Sequence, residues 1–243
     1  MLALLFWILK WVFILISILS YKSVPFAYTI RFYRPILKNL IIPYYTKSYL
    51  KVKDIKKHEL EVFNPLVYKT FCSFFECDSY LHKSNSTYFQ ELDICRADLM
   101  TLRFRELFWH AQDVNLGKKG KYSVLNWPYI PTATLSGNFK KEITPLLRYH
   151  VISEVLCWDE KWLFVLSKFA FPTGKNQYKT CCNCITKYVF KNGRITIPPV
   201  EAMKICGLWN EKVEKISKSR YHMIEHYVNQ DELDEIDLFM AEK

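Results

Sequence analysis

The chain has 243 residues, half hydrophobic and 16% aromatic, which excludes wholesale disorder and allows one domain with a sizeable core. Its 6 glycines and the lack of any G-x-G-x-x-G or G-x-x-x-x-G-K-[ST] stretch exclude the glycine-rich phosphate cradles of nucleotide-binding folds. A net charge of +10 favours anionic partners: nucleic acid, an anionic membrane face or a phosphorylated ligand.

Residues Met1 to Tyr21, MLALLFWILKWVFILISILSY, are almost continuously apolar and long enough to cross a hydrocarbon core of roughly 30 Å. Lys10 lies near the middle and costs about 2.5–3.5 kcal/mol on insertion scales, which the surrounding Leu, Ile, Phe, Val and Trp side chains offset. A cleaved signal peptide is the rival. It would need a basic start and a small-residue cleavage site, yet no charged side chain precedes Lys10 and no A-x-A pattern follows. The reading is a retained anchor over 1–21. Lys22, Arg31, Arg34 and Lys38 follow it, so the positive-inside rule places the rest of the chain in the cytosol. There the 8 cysteines are reduced and the one glycosylation sequon, Asn85-Ser86-Thr87, stays unmodified. Cys181, Cys182 and Cys184 form C-C-N-C, which lacks the paired C-x-x-C spacing of a structural zinc site.

Residues 22–65 form a juxtamembrane connector punctuated by Pro25, Pro35, Pro43 and Pro65. Short apolar-aromatic pieces such as Leu40 to Tyr45 are expected to lie against the membrane or the domain. Its lysines, Lys47, Lys51, Lys53, Lys56 and Lys57, suit an anionic lipid face or an ordinary solvated surface. A globular domain is expected over 66–200. Val67 to Phe75 has strand composition, and Asp78 to Asn85 is a polar turn. Ser86 or Thr87 is expected to cap a helix running to about Arg105, with Tyr88, Leu92, Cys95, Leu99 and Leu102 as its buried stripe. Phe108 to Asn126 reads as a polar excursion. Strands are then expected over Thr132 to Phe139, Arg148 to Trp158, Trp162 to Ala170 and Thr180 to Phe190, with Asn192-Gly193 ending the last and Pro198-Pro199 stopping regular structure. The remainder, 201–243, is a helical extension with an acidic end from Asp231 to Asp237. Periodicity alone therefore reaches an α+β domain: one buried helix against an antiparallel sheet.

The segment F-E-C-D-S-Y-L-H-K-S-N-S-T-Y-F-Q-E-L-D-I-C-R, Phe75 to Arg96, resembles the signature of the hotdog thioesterase-like family (4-hydroxybenzoyl-CoA thioesterase-like superfamily). That family shows an acidic residue, then H-x-N-N-x-x-Y at a helix start, then a helical D-x-x-R. The Trp158-Asp159 hairpin followed by Lys161, the Arg194 to Pro199 stretch before a terminal helix, and the hydrophobic N-terminus extend the likeness over nearly the whole chain.

The resemblance implies a hotdog fold, a long helix inside a curved antiparallel sheet, usually paired into a homodimer with the active site at the dimer interface. It implies an acyl-CoA or other acyl thioester as substrate and no metal or organic cofactor, and it favours the endoplasmic reticulum over the mitochondrion. By the same resemblance Asp78 is the general base or nucleophile, His82 and Asn85 its catalytic companions, and Tyr88, Ser84 and Lys83 substrate contacts. Ser84 replaces the motif's first asparagine and Lys83 an apolar residue. Lys83 either changes ligand charge preference or faces solvent. Asp93 with Arg96 reads as a structural ion pair, and Trp158 and Trp162 as core or dimer-contact residues. Ordinary structural roles compete: Asp78 as a turn aspartate, His82 as a loop anchor, Asn85 fixing the turn. His222-Met223-Ile224-Glu225-His226 fits a zinc-protease string, but the chain ends 17 residues later and a charged terminal-helix face is the better account. Two functions follow: a membrane-tethered hydrolase of acyl thioesters, or a non-catalytic acyl- or lipid-binding protein of membrane lipid homeostasis. The basic residues follow the anchor rather than an aromatic-interleaved groove, so no nucleic acid is expected.

Overall fold

The computed structural model describes residues 2–53, 57–111, 127–175 and 177–225. The apolar N-terminus is a helix, α1 (Leu2–Leu19), with no buried residue; by length and composition it is able to cross a membrane. A 3-10 turn (Tyr21–Ser23) leads into α2 (Ala27–Ile36), a π turn (Leu37–Ile41) and α3 (Ile42–Tyr45), which run on as one rod. The connector is thus largely helical, and α4 (Tyr49–Lys53) follows. Pro35 has no N–H to give inside this rod, and the widened turn directly after it absorbs the disturbance. The expectation that Leu40 to Tyr45 lies against membrane or domain resolves at Leu40, which is buried in the main core with Val62 and Phe63.

Five strands form one antiparallel sheet in the order β1-β3-β4-β5-β2. They are β1 (Leu66–Phe71), β2 (Thr132–Phe139), β3 (Arg148–Trp158), β4 (Leu163–Gly174) and β5 (Gln177–Tyr188). The bounds of β2 and β3 are those read from the sequence. β1 is shorter than expected, because Phe74–Glu76 closes a 3-10 turn capped reciprocally by Ser73 and Glu76. The central helix α5 (Asn85–Arg103) packs on the sheet with Tyr88, Leu92, Cys95 and Leu99 buried and Leu102 half-buried. Burial of Leu92 and Leu99 is worth about 1.5–3 kcal/mol each. Ser84, not Ser86 or Thr87, holds the N-cap position, and Thr87 instead turns its hydroxyl back to the carbonyls of Ser84 and Glu76.

Two expectations need correction. Residues 105–111 are helical (α6) and carry Leu107, Phe108 and Trp109 into the core, so the polar excursion does not begin at Phe108; residues 112–126 lie outside the described residues. Pro198-Pro199 does not stop regular structure either. Asn192-Gly193 sits in a small hairpin, β6 (Phe190–Asn192) with β7 (Ile195–Ile197), and Pro199 then opens α7 (Pro199–Ile205), where its missing N–H would be unpaired in any case. Gly207, at φ +60°, ends α7: its N–H reaches Lys204 O and that of Leu208 reaches Met203 O, the paired bonds of a left-handed helix stop. The last helix of the described residues, α8 (Glu211–Tyr221), is capped by the Asn210 side chain and packs on β3, where Ser217 Oγ accepts from Trp158 N. His222 lies in the following 3-10 turn; His226 and the acidic end fall outside the described residues.

Candidate active site

The loop entering α5 is built by its own backbone. Asp78 N donates to His82 O, Leu81 N donates to Asp78 O, and Asp78 Oδ1 accepts from Tyr80 N at 2.9 Å. Leu81 takes φ +57°, a costly conformation for a branched side chain, which marks a loop held in shape by its surroundings. The other carboxylate oxygen of Asp78 faces His82 Nδ1 at 3.6 Å, and His82 Nε2 faces Glu142 Oε1 at 3.7 Å. Both gaps exceed a direct hydrogen bond. About a third of the Asp78 side chain and a quarter of His82 are exposed.

His82, Lys83, Asn85 and Tyr88 line one cleft with Phe139, Lys140, Lys141, Glu142 and Thr144, of about 530 Å³. Asp78 neighbours His82, and Ser84 faces Ser86 (Oγ to Oγ 3.1 Å); neither is part of the lining. Tyr88 is buried, its ring 5.1 Å from Phe139 and 4.8 Å from Phe169. Lys83 does not face solvent: it is 2% exposed, its ammonium lies over the rings of Tyr88 and Tyr149, and its nearest counter-ion is Glu76 Oε2 at 3.5 Å. Among the described residues that ammonium has no hydrogen-bond partner. Burial pulls its pKa below the ordinary lysine value, against the pull of Glu76 and Glu91.

Behind the cleft lies an ionic cluster that sequence reasoning missed. Lys22, directly after α1, puts its ammonium 3.0 Å from Glu76 Oε2, 3.3 Å from Glu91 Oε2 and 3.0 Å from Thr70 Oγ1. Arg31 of α2 pairs with Glu91 Oε1 at 2.5 Å and reaches Tyr68 OH. Burial alone would raise the pKa of Glu91; Lys22, Arg31 and Lys83 outweigh it and hold the carboxyl below the ordinary value. One signal was available: Glu91 falls three residues after Tyr88 and four before Cys95, on the stripe whose other members are apolar.

Asp93 and Arg96 pair on α5, with Arg96 also donating to Thr186 Oγ1 and Tyr28 OH donating to Asp93 Oδ2. They border a second cavity of about 330 Å³, between α2 and α5, whose walls include Phe32, Ile36, Met100 and Tyr188. Trp158 is a core residue 5.9 Å from Phe63, and Trp162 is flanked by the ammonium groups of Lys161 and Lys187, each 4.4 Å from its ring.

A long helix on an antiparallel sheet of this order is the hotdog arrangement, and kinship places the chain among the thioesterase-like proteins. The chain belongs to the thioesterase family that includes "Probable thioesterase YBR096W" of Saccharomyces cerevisiae, with which it is 42% identical over 218 residues, 89% of this chain and 88% of that one. Thioesterase poxG of Penicillium oxalicum is 30% identical over 235 residues, 85% of this chain and 74% of that one. A solved 1,4-dihydroxy-2-naphthoyl-CoA thioesterase from Synechocystis aligns with 59% of this chain and 95% of its own, at 10% identity and TM-score 0.43. No family model matches the chain.

Proposed function

We propose that this protein is a membrane-anchored acyl thioesterase that hydrolyses acyl-CoA or a related acyl thioester at the cleft beside the start of α5. The carrying observation is the convergence of His82, Lys83, Asn85 and Tyr88 on that cleft, with the Asp78 carboxylate 3.6 Å from His82 Nδ1, in a chain of thioesterase kinship. In the base route, Asp78 takes a proton from water as the water oxygen attacks the thioester carbon. The C–S bond then breaks, and the departing thiolate takes up the proton, leaving a carboxylic acid and a free thiol. In the nucleophile route, the carboxylate itself attacks the thioester carbon and the C–S bond breaks, releasing the thiolate and leaving an acyl–Asp78 mixed anhydride. Water then hydrolyses the anhydride, restoring the carboxylate and freeing the carboxylic acid, and the proton that water gives up goes to the thiolate. His82 orients the carboxylate, and Asn85 with the N-terminal N–H groups of α5 receives the carbonyl oxygen. The Lys83 ammonium supplies positive charge to that oxygen, and Tyr88 forms the apolar wall. The exposed apolar helix α1 anchors the chain, with the domain in the cytosol on an endoplasmic reticulum or mitochondrial membrane. Two copies pair as a homodimer, and the finer kinship is with thioesterase superfamily member 6.

A second reading is favoured by one observation: the Tyr80 N–H already occupies Asp78 Oδ1, as in an ordinary turn. In that reading the cleft binds an acyl or lipid ligand without turnover. The full chain in detergent micelles, assayed for thiol release from short, medium and long acyl-CoAs, separates the two. Release abolished by Asp78→Asn supports the hydrolase. No release by folded wild type, together with an acyl-CoA-dependent rise in melting temperature of both forms, supports the binder.

A further inference from the structure

The rod Ala27–Tyr45 has two faces. Inward it buries Pro35, Asn39 and Leu40 and offers Phe32 and Ile36 to the cavity on α5. Outward, from its N-cap, it presents Phe26, Ile30, Tyr33, Leu37, Ile42 and Tyr45, exposed by between 47% and 80%. The steps along this row are four, three, four, five and three. A step of five breaks α-helical phase, but it falls on the π turn Leu37–Ile41, whose wider turn takes the extra residue and keeps the row on one face. The row is therefore continuous over the whole rod, roughly 28 Å at the α-helical rise. Arg34 and Lys38, one turn apart, flank it. Both are exposed, neither has an ion-pair partner among the described residues, and both line a cleft of about 200 Å³ with Arg31.

We propose that this rod is a second membrane contact, lying in the headgroup layer with its apolar row in the acyl boundary and Arg34 and Lys38 on lipid phosphates. Aromatic and aliphatic residues on one face with cations beside them are the composition of an interfacial helix. The chain also leads there: α1 ends at Leu19 and the rod begins at Ala27, too few residues to carry it far from where α1 leaves a bilayer. The proposal rests on α1 being the anchor. Its consequence is that the cavity between α2 and α5 sits directly beneath the lipid surface.

The test uses the full chain in nanodiscs, with an environment-sensitive fluorescent residue placed at 30, 37 or 42, or at 212 on α8 as a control. The discs contain phosphatidylcholine with or without phosphatidylserine, and a lipid spin-labelled high on its acyl chain as quencher. Severalfold stronger quenching at 30, 37 and 42 than at 212 is expected. Arg34→Gln with Lys38→Gln should weaken it only in the discs containing phosphatidylserine. Equal, weak quenching at all positions in a chain that stays with the disc overturns the interfacial helix and leaves the anchor standing. Loss of the chain from the disc overturns both. Weak quenching with crosslinks between copies at Tyr33 assigns the face to a second copy instead and also overturns the proposal. All labelled positions are exposed, so an unchanged melting temperature certifies each variant as folded.

Discussion

Lys83 and Glu91 are both buried ionisable groups, but their environments act on them in opposite senses. Lys83 is desolvated, with one counter-ion at 3.5 Å and no hydrogen-bond acceptor among the described residues, so its charged form is disfavoured by folding. A cation whose folded pKa lies below its unfolded value withholds stability while charged. Lys83→Met should therefore melt at or above the wild-type temperature in a thermal scan, and should weaken acyl-CoA binding in a titration if that charge serves the ligand. Glu91 is the reverse case, held ionised by three cations. Its contribution is fully present above the unfolded carboxyl pKa near 4.5 and is lost as pH falls through the lower folded value. Glu91→Gln should cost about 3–5 kcal/mol at neutral pH, because buried cations lose their partner. Denaturant melts as a function of pH should also show a flatter acid limb for Glu91→Gln than for wild type. That His82, Asn85 and Tyr88 sit together at a helix start was legible in the sequence because such spacing is local. The partners of Lys83 were not, since Glu76, Tyr88 and Tyr149 reach it from three different segments.

Legibility also differs among elements. β2 and β3 have the bounds that composition gives, because their residues alternate or run apolar between clear breaks. α5 was readable from its stripe, since 3.6-residue periodicity is written into a helix with one buried face. The rod Ala27–Tyr45 was not readable. Its prolines argue for interruption, and its two apolar faces blur any single stripe; only the π turn makes the outer row coherent. That the rod belongs to the domain is testable through Leu40, which is 1% exposed and sits in the main core. Leu40→Ala should destabilise the protein by about 2–5 kcal/mol in chemical denaturation, as for a core leucine. A segment merely resting against the domain would lose less than half a kilocalorie by the general rule for surface sites, about ±0.5 kcal/mol.

At the scale of the molecule, one core gathers residues from along the described chain beyond α1: Leu40 and Phe63 before the sheet, Leu99 on α5, Trp158 on β3, and Met203 and Val213 after the sheet. The segments from Leu40 to the sheet and from Met203 to Val213 are thus part of the folding unit, in keeping with a likeness to a relative that covers 89% of the chain rather than stopping at the sheet. Lys22 adds a further tie. It lies three residues beyond the end of α1, and its ammonium is sunk between Glu76 and Glu91. With α1 in a bilayer, this leaves almost no slack between membrane and domain. The cleft at the start of α5 then cannot sample the aqueous volume as a tethered sphere would. It moves with the lipid plane at fixed height and fixed tilt, so encounter with a membrane-borne ligand becomes a two-dimensional search. Its rate is set by lateral diffusion and by how that ligand partitions at the surface, rather than by its concentration in solution.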